Sequence, residues 1–110
     1  MSHHRVIIIG SGPAGLTAAL YTARTQLNPL VIAGTQPGGQ LMGTTSVENW
    51  PGIKSIEGPA LMQHLTEHAQ SCGAEIVKKN VTAVDLSQKP FRLTLNDDST
   101  LTSDSIIIAC

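Results

Sequence analysis

Long apolar runs are scarce in this chain of 110 residues. The first, Val6–Ile9, follows two histidines and an arginine and stops at Gly10, which fits neither a secretory signal nor a spanning helix. A cytoplasmic location is the expectation. Charge of one sign is equally scarce: seven basic and eight acidic side chains are spread without long runs. That balance offers no cationic face to a phosphate backbone and no basic amphipathic anchor to a bilayer, so nucleic acid and membrane partners are not expected. Cysteine is limited to Cys72 and Cys110, which form no Cys-x-x-Cys pair; two thiols in a cytosolic chain are read as reduced. Internal repeats and low-complexity segments are also missing.

The length suits one domain spanning residues 1–110, able to bury roughly two-thirds of its unfolded surface. Arg5–Ile9 is short, continuous and β-branched, as in a parallel strand covered on both faces. From Pro13 to about Thr25 the residues favour a helix, with proline in the first turn, where its missing N–H costs nothing. Asn28-Pro29 ends that helix, and Leu30–Ala33 reads as a second buried strand, completing a βαβ unit. "GTQPGGQLMGTTSVENWPG", residues 34–52, has no sustained period and reads as a long loop with a binding role. Gly58-Pro59 opens a second helix on which Leu61, Leu65, Ala69 and Cys72 recur at helical spacing, and Gly73 ends it. "AEIVKK" is a further strand; "VTAVDLS", "FRLTLN" and "TLTSDS" read as an antiparallel meander, and "SIIIAC" as a separate buried parallel strand.

Gly10, Gly12 and Gly15 match G-x-G-x-x-G between strand and helix, the context that gives this motif meaning. Gly10 permits the sharp turn, Gly12 lets backbone approach a pyrophosphate, and Gly15 lets the helix lie close to the sheet. The uncapped N–H groups and the positive end of the helix dipole then favour a diphosphate without any lysine or arginine. The ribose-binding acid of such folds would stand at the end of the second strand, but that place reads Ala33-Gly34-Thr35. The ribose must find other partners.

Other constellations are weaker. "HLTEH", residues 64–68, has the H-x-x-E-H pattern of some zinc proteases, but its polar face lies away from the apolar stripe and lacks a third ligand, so a solvated surface is expected and no metal. Cys72 is expected in the core as a small hydrophobe, and Cys110 to be exposed. Trp50 with Pro51 and Gly52 is expected to anchor the loop, Glu48 to be an exposed loop carboxylate, and Lys78 and Lys79 to be a solvated strand end.

"IIGSGPAGLTAALYTAR", "PGGQL", "VENWPG", "VDLSQKPFRL" and "SIIIA", in this order and spacing, resemble the N-terminal part of the bacterial-type thioredoxin reductase family, flavoproteins of the pyridine nucleotide disulfide oxidoreductase class. The resemblance implies an α/β fold, a Rossmann-like FAD-binding domain with a parallel sheet, flanking helices and a β-meander crossover, here truncated. It places Ser11, Gly12, Pro13 and Ala14 around the FAD pyrophosphate, with Gly10 and Gly15 shaping the turn. Gly34, Thr35, Gln36 and Pro37 would follow the adenosine side, and Gly39, Gln40 and Leu41 the ribityl chain and flavin. Asn49 would hydrogen-bond near the isoalloxazine, and Val81 would meet the adenine through its backbone. In a complete enzyme of this family NADPH reduces the flavin, the flavin reduces a Cys-x-x-Cys disulfide, and the disulfide reduces thioredoxin. The redox disulfide, the NADPH domain and the segment that completes the FAD site have no counterpart here, so no catalytic residue is assigned and this stretch is expected to be inactive alone. Surfaces the remainder would cover are expected to drive self-association or a homodimer. The alternative is a stand-alone nucleotide-binding or interaction module without redox activity.

Overall fold

The computed structural model describes residues 2–110. Six strands and two helices follow in the order β1 (Ser2–Ile9), α1 (Pro13–Arg24), β2 (Leu30–Ile32), α2 (Gly58–Ser71), β3 (Glu75–Val77), β4 (Val81–Asp85), β5 (Phe91–Leu95) and β6 (Thr100–Ile108), with a short 3-10 helix at Gly39–Gly43 before α2. All six strands belong to one sheet in the order β3-β2-β1-β6-β5-β4. The expected Rossmann-like α/β architecture is present, with β1 parallel to β2 and β6, β2 parallel to β3, and the β4-β5-β6 meander antiparallel.

The largest departures from the sequence reading, at β6 and at the start of β1, have one reason. "TLTSDS" and "SIIIAC" are not separate strands but one nine-residue strand, β6. Its first half pairs with β5 as far as Ser103, while the whole strand runs parallel to β1 from Leu101 to Ile108. This long template pairs Ser2, His3 and His4 with Leu101, Thr102 and Ser103, so β1 begins at Ser2 rather than Arg5. His3 reinforces the extension, its ring lying 2.8 Å from Thr102 Oγ1 and 3.1 Å from Asp104 Oδ1.

The connection from β3 to β4 dictates the overall curvature. These strands are the two edges of the sheet, yet only Lys78, Lys79 and Asn80 separate them. Four Cα steps reach about 14 Å at most, whereas the outer strands of a flat six-stranded sheet lie about 24 Å apart. The sheet must therefore curl until the meander folds across the parallel strands. Two cores result. Val6, Ile8 and Val31 pack under α1 and α2 against Ala19, Ala23 and Ala69, with Cys72 half-buried beside them. Ile7, Leu30 and Ile32, on the opposite face, are covered by Leu93, Leu95 and Leu101 of the meander. Fully burying a side chain such as Leu93 is worth about 1.5–3 kcal/mol, so this second core is what holds the meander down.

α1 and α2 both start with proline in the first turn. α2 ends as expected, with Cys72 as C-cap and Gly73 in the left-handed region at φ +113°. No helix of the described residues is long and apolar enough to cross a membrane.

Candidate functional site

Strands β1, β2 and β6 all point their carboxyl ends toward one rim of the sheet. From β1 the chain moves outward through β2 to β3, then returns on the other side of β1 as β6. Ligands of open α/β sheets bind beyond the strand ends at such a reversal, and a crevice lies there.

Its walls are set by the glycine turn. Gly10 has φ +120°, a conformation costly for any residue with a side chain. A Cβ there would also collide with the carbonyl of Ala109 at the end of β6, and one at Gly15 would collide with the carbonyl of Gly10. These two glycines therefore let β1, β6 and α1 converge. Gly12 differs, because a Cβ there would meet no atom of the described residues within 4 Å. It is also the N-cap of α1, where no side chain of the described residues caps the helix and no acid occupies the first turn. The first-turn N–H groups of Ala14 and Gly15 thus remain for an anion, favoured by about half a positive charge from the helix dipole.

The Ser11 side chain ties neighbouring segments together. It is 7% exposed; its hydroxyl donates to the Ala33 carbonyl at 3.0 Å and accepts from the Gly38 N–H at 3.0 Å. One side chain thereby ties the end of β2 and the glycine-rich loop to the β1–α1 turn. Gly10, Ser11, Gly12 and Pro13 face Gln36, Gly39 and Gln40 across a cavity of about 430 Å³, closed on one side by Ala33, Ala109 and Cys110. A second cavity of about 300 Å³ continues it, sharing Gly10, Ala33 and Cys110 and adding Gly34, Asn80 and Val81. Together they form a cleft of a size suited to a dinucleotide.

The remaining expected residues are placed less uniformly. Thr35 sits at the rim, where its N–H donates to Asn80 Oδ1 at 3.3 Å and its hydroxyl lies 3.4 Å from Asn80 Nδ2. Pro37 lines a separate cavity of about 440 Å³ with Met42, Pro59 and Met62. Leu41 is half-buried in the 3-10 helix, and Asn49 is exposed in the loop; neither is among the residues lining these cavities. Trp50 is half-buried and its carbonyl accepts the Ile53 N–H at 3.2 Å, but the buried anchor of this loop is Val47, bridged to Ile56 by two backbone hydrogen bonds. His64 and His68 are exposed on α2, and Glu67 accepts a hydrogen bond from Gln63 at 3.2 Å. Among the described residues no group of three metal-ligating side chains is assembled.

Sequence reasoning missed Ala33, Ala109, Lys79 and Asn80. The first two end β2 and follow β6, where the strand-end rule alone points to them. Asn80 and Lys79 reach the cleft only because the sheet curls, and a local pattern carries no sign of that. The Lys79 side chain is 44% exposed, as a strand end would be, but its carbonyl accepts the Gly34 N–H at 2.9 Å, the residue lines the smaller cavity, and Nζ lies 2.8 Å from Asp97 Oδ2.

Comparison with known proteins agrees with this geometry. The model of the family described as pyridine nucleotide-disulphide oxidoreductase matches residues 4–110. A glucosaminate ammonia-lyase from Pseudomonas fluorescens is 54% identical over 108 residues, covering 97% of this chain and 33% of that protein. A thioredoxin reductase from Vibrio cholerae is 50% identical over 110 residues, covering 99% and 34% respectively. The structure of thioredoxin reductase from Giardia duodenalis superposes with a TM-score of 0.94 at 40% identity, covering 98% of this chain and 35% of that one. The chain spans about one third of the length of the curated relatives it matches. With a glycine-turn cleft at the reversal of a curled α/β sheet, and a family match over nearly its full length, this chain belongs to the pyridine nucleotide-disulphide oxidoreductase family.

Proposed function

We propose that residues 1–110 form one partial FAD-binding domain, the cofactor-holding part of a thioredoxin reductase that draws reducing equivalents from NADPH. The observation that carries this reading is the uncapped N-terminus of α1 opening onto the cleft beside Gly12, where a Cβ would meet nothing among the described residues. A flavin dinucleotide fits the residues present: neutral backbone donors suit its diphosphate, and amides suit rings and riboses that both donate and accept. Gly12, Pro13, Ala14 and Gly15 hold the diphosphate, while Gly10 and Ser11 shape the turn and tether the loop. Gly34, Thr35, Gln36 and Val81 flank the adenosine. Gly39 and Gln40 face the ribityl chain. Pro37, Leu41 and Asn49 lie outside the lining of this cleft, on the loop that would border the adenosine, ribityl and flavin parts respectively. FAD, when bound, supplies a two-electron carrier between nicotinamide and disulfide.

The residues of this chain bind and orient; none of those in the cleft is assigned a bond-making role. That division agrees with the names of the relatives, one a lyase and others reductases, which share this portion. Thioredoxin is accordingly a partner of a complete enzyme, and self-association is the expected behaviour of this chain. Titration with FAD, followed by flavin absorbance and Trp50 emission, tests the reading. Saturable one-to-one binding, competed weakly by NAD, is expected; failure to bind FAD and ADP alike overturns it in favour of a stand-alone interaction module.

A further inference from the structure

The adenosine end of the cleft combines two features that cofactor binding alone leaves unexplained. The end of β2 carries Ala33-Gly34-Thr35 in place of the carboxylate that would accept from a ribose 2′-hydroxyl. A cation near that position would instead attract a 2′-phosphate. Lys79 is such a cation. Its backbone is pinned by the 2.9 Å hydrogen bond from Gly34, and the next residue, Asn80, clasps Thr35. Lys79 lines the smaller cavity together with Gly34 and Asn80, and its side chain is 44% exposed. Yet that charge is already matched, because Nζ lies 2.8 Å from Asp97 Oδ2 in the turn between β5 and β6. Asp97 is itself positioned, its other oxygen accepting from both the N–H and the hydroxyl of Ser99. The Lys79 ammonium and then the Ser99 donors hold the Asp97 carboxyl well below the usual carboxylate range, so Asp97 presents a negative charge to Lys79 at neutral pH.

We propose that Asp97 is a specificity-determining residue: by pairing with Lys79 it neutralises the cation at the adenosine end, so that the cleft accepts adenosine nucleotides with a free 2′-hydroxyl and rejects those bearing a 2′-phosphate. The inference rests on the nucleotide-binding reading of the cleft. An acid at the end of β2 would have repelled the extra phosphate directly; here the same discrimination is reached from across the curled sheet. Asp97 touches no nucleotide and acts through Lys79.

Calorimetric titration of the chain at low ionic strength with ADP and with 2′-phosphorylated ADP tests it. The parent chain prefers ADP. Asp97→Asn raises the affinity ratio of the 2′-phosphorylated form to ADP about tenfold, and added salt erodes that gain. Asp97→Glu keeps the parental ratio, and Lys79→Met added to Asp97→Asn abolishes the gain. A general loss of structure would weaken both nucleotides together and leave the ratio unmoved. An unchanged ratio in Asp97→Asn, with ADP still bound, overturns the proposal. Failure of the parent to bind ADP overturns the nucleotide reading beneath it, a separate and recognisable result.

Discussion

The three glycines of the motif have separable physical roles. Gly15 faces the Gly10 carbonyl so closely that any side chain must push backbone against backbone, whereas Gly12 faces open space among the described residues. Gly15→Ala therefore forces α1 away from the β1 turn and is expected to destabilise the fold by about 1–3 kcal/mol, as overpacking does, seen as a lower urea midpoint. Gly12→Val is expected to leave that midpoint within about 0.5 kcal/mol of the parent while abolishing FAD binding, because its side chain enters the space a diphosphate needs. Equal loss of stability in both variants would show that the space beside Gly12 belongs to the fold and not to a ligand. Ser11 is a third case. Its hydroxyl is spent on Ala33 and Gly38, a geometry visible only once β2 and the loop are brought beside it.

At the scale of elements, the βαβ unit was legible because each signal is local: β-branched runs, proline in the first turn of each helix, and Gly73 at its left-handed position. The polar pair Asp104-Ser105 reads as a break in sequence, although β6 runs through it. Pairing with β1 across the whole length overrides that local pattern. The turn between β5 and β6 is likewise more than a connector, since its Asp97 reaches Lys79 beside the cleft. A carboxyl whose pKa is lower in the folded chain than in the unfolded one favours the fold above the unfolded value. That contribution fades as pH falls through the folded value. Asp97 is of this kind, so Asp97→Asn is expected to lower the urea midpoint at neutral pH, with the two curves converging below the ordinary aspartate range. Both groups of the pair are substantially exposed, so the difference is small and salt-sensitive. A gap that persists unchanged in strong acid would assign the effect to the turn itself rather than to the charge.

The cleft is a property of the whole molecule. A three-residue link between the two edges of a six-stranded sheet curls it, and that curl brings Lys79, Asn80 and Val81 to the strand ends already marked by the glycine turn. The curl does not hide the outer edge. β4 pairs on one side with β5 and leaves its other side without a partner strand among the described residues, while Val84 is 38% and Leu86 54% exposed along it. A free strand edge flanked by apolar side chains invites pairing with a second copy. Sedimentation is therefore expected to show mass rising with concentration. Val84→Lys combined with Leu86→Lys should return the chain to a monomer while leaving FAD binding intact, because β4 beyond Val81 lies away from the cleft. A parent chain that stays monomeric at high concentration contradicts the expectation. Association that survives both lysines moves the contact elsewhere, with Ile108 and Tyr21, each 65% exposed, as the next apolar positions to charge.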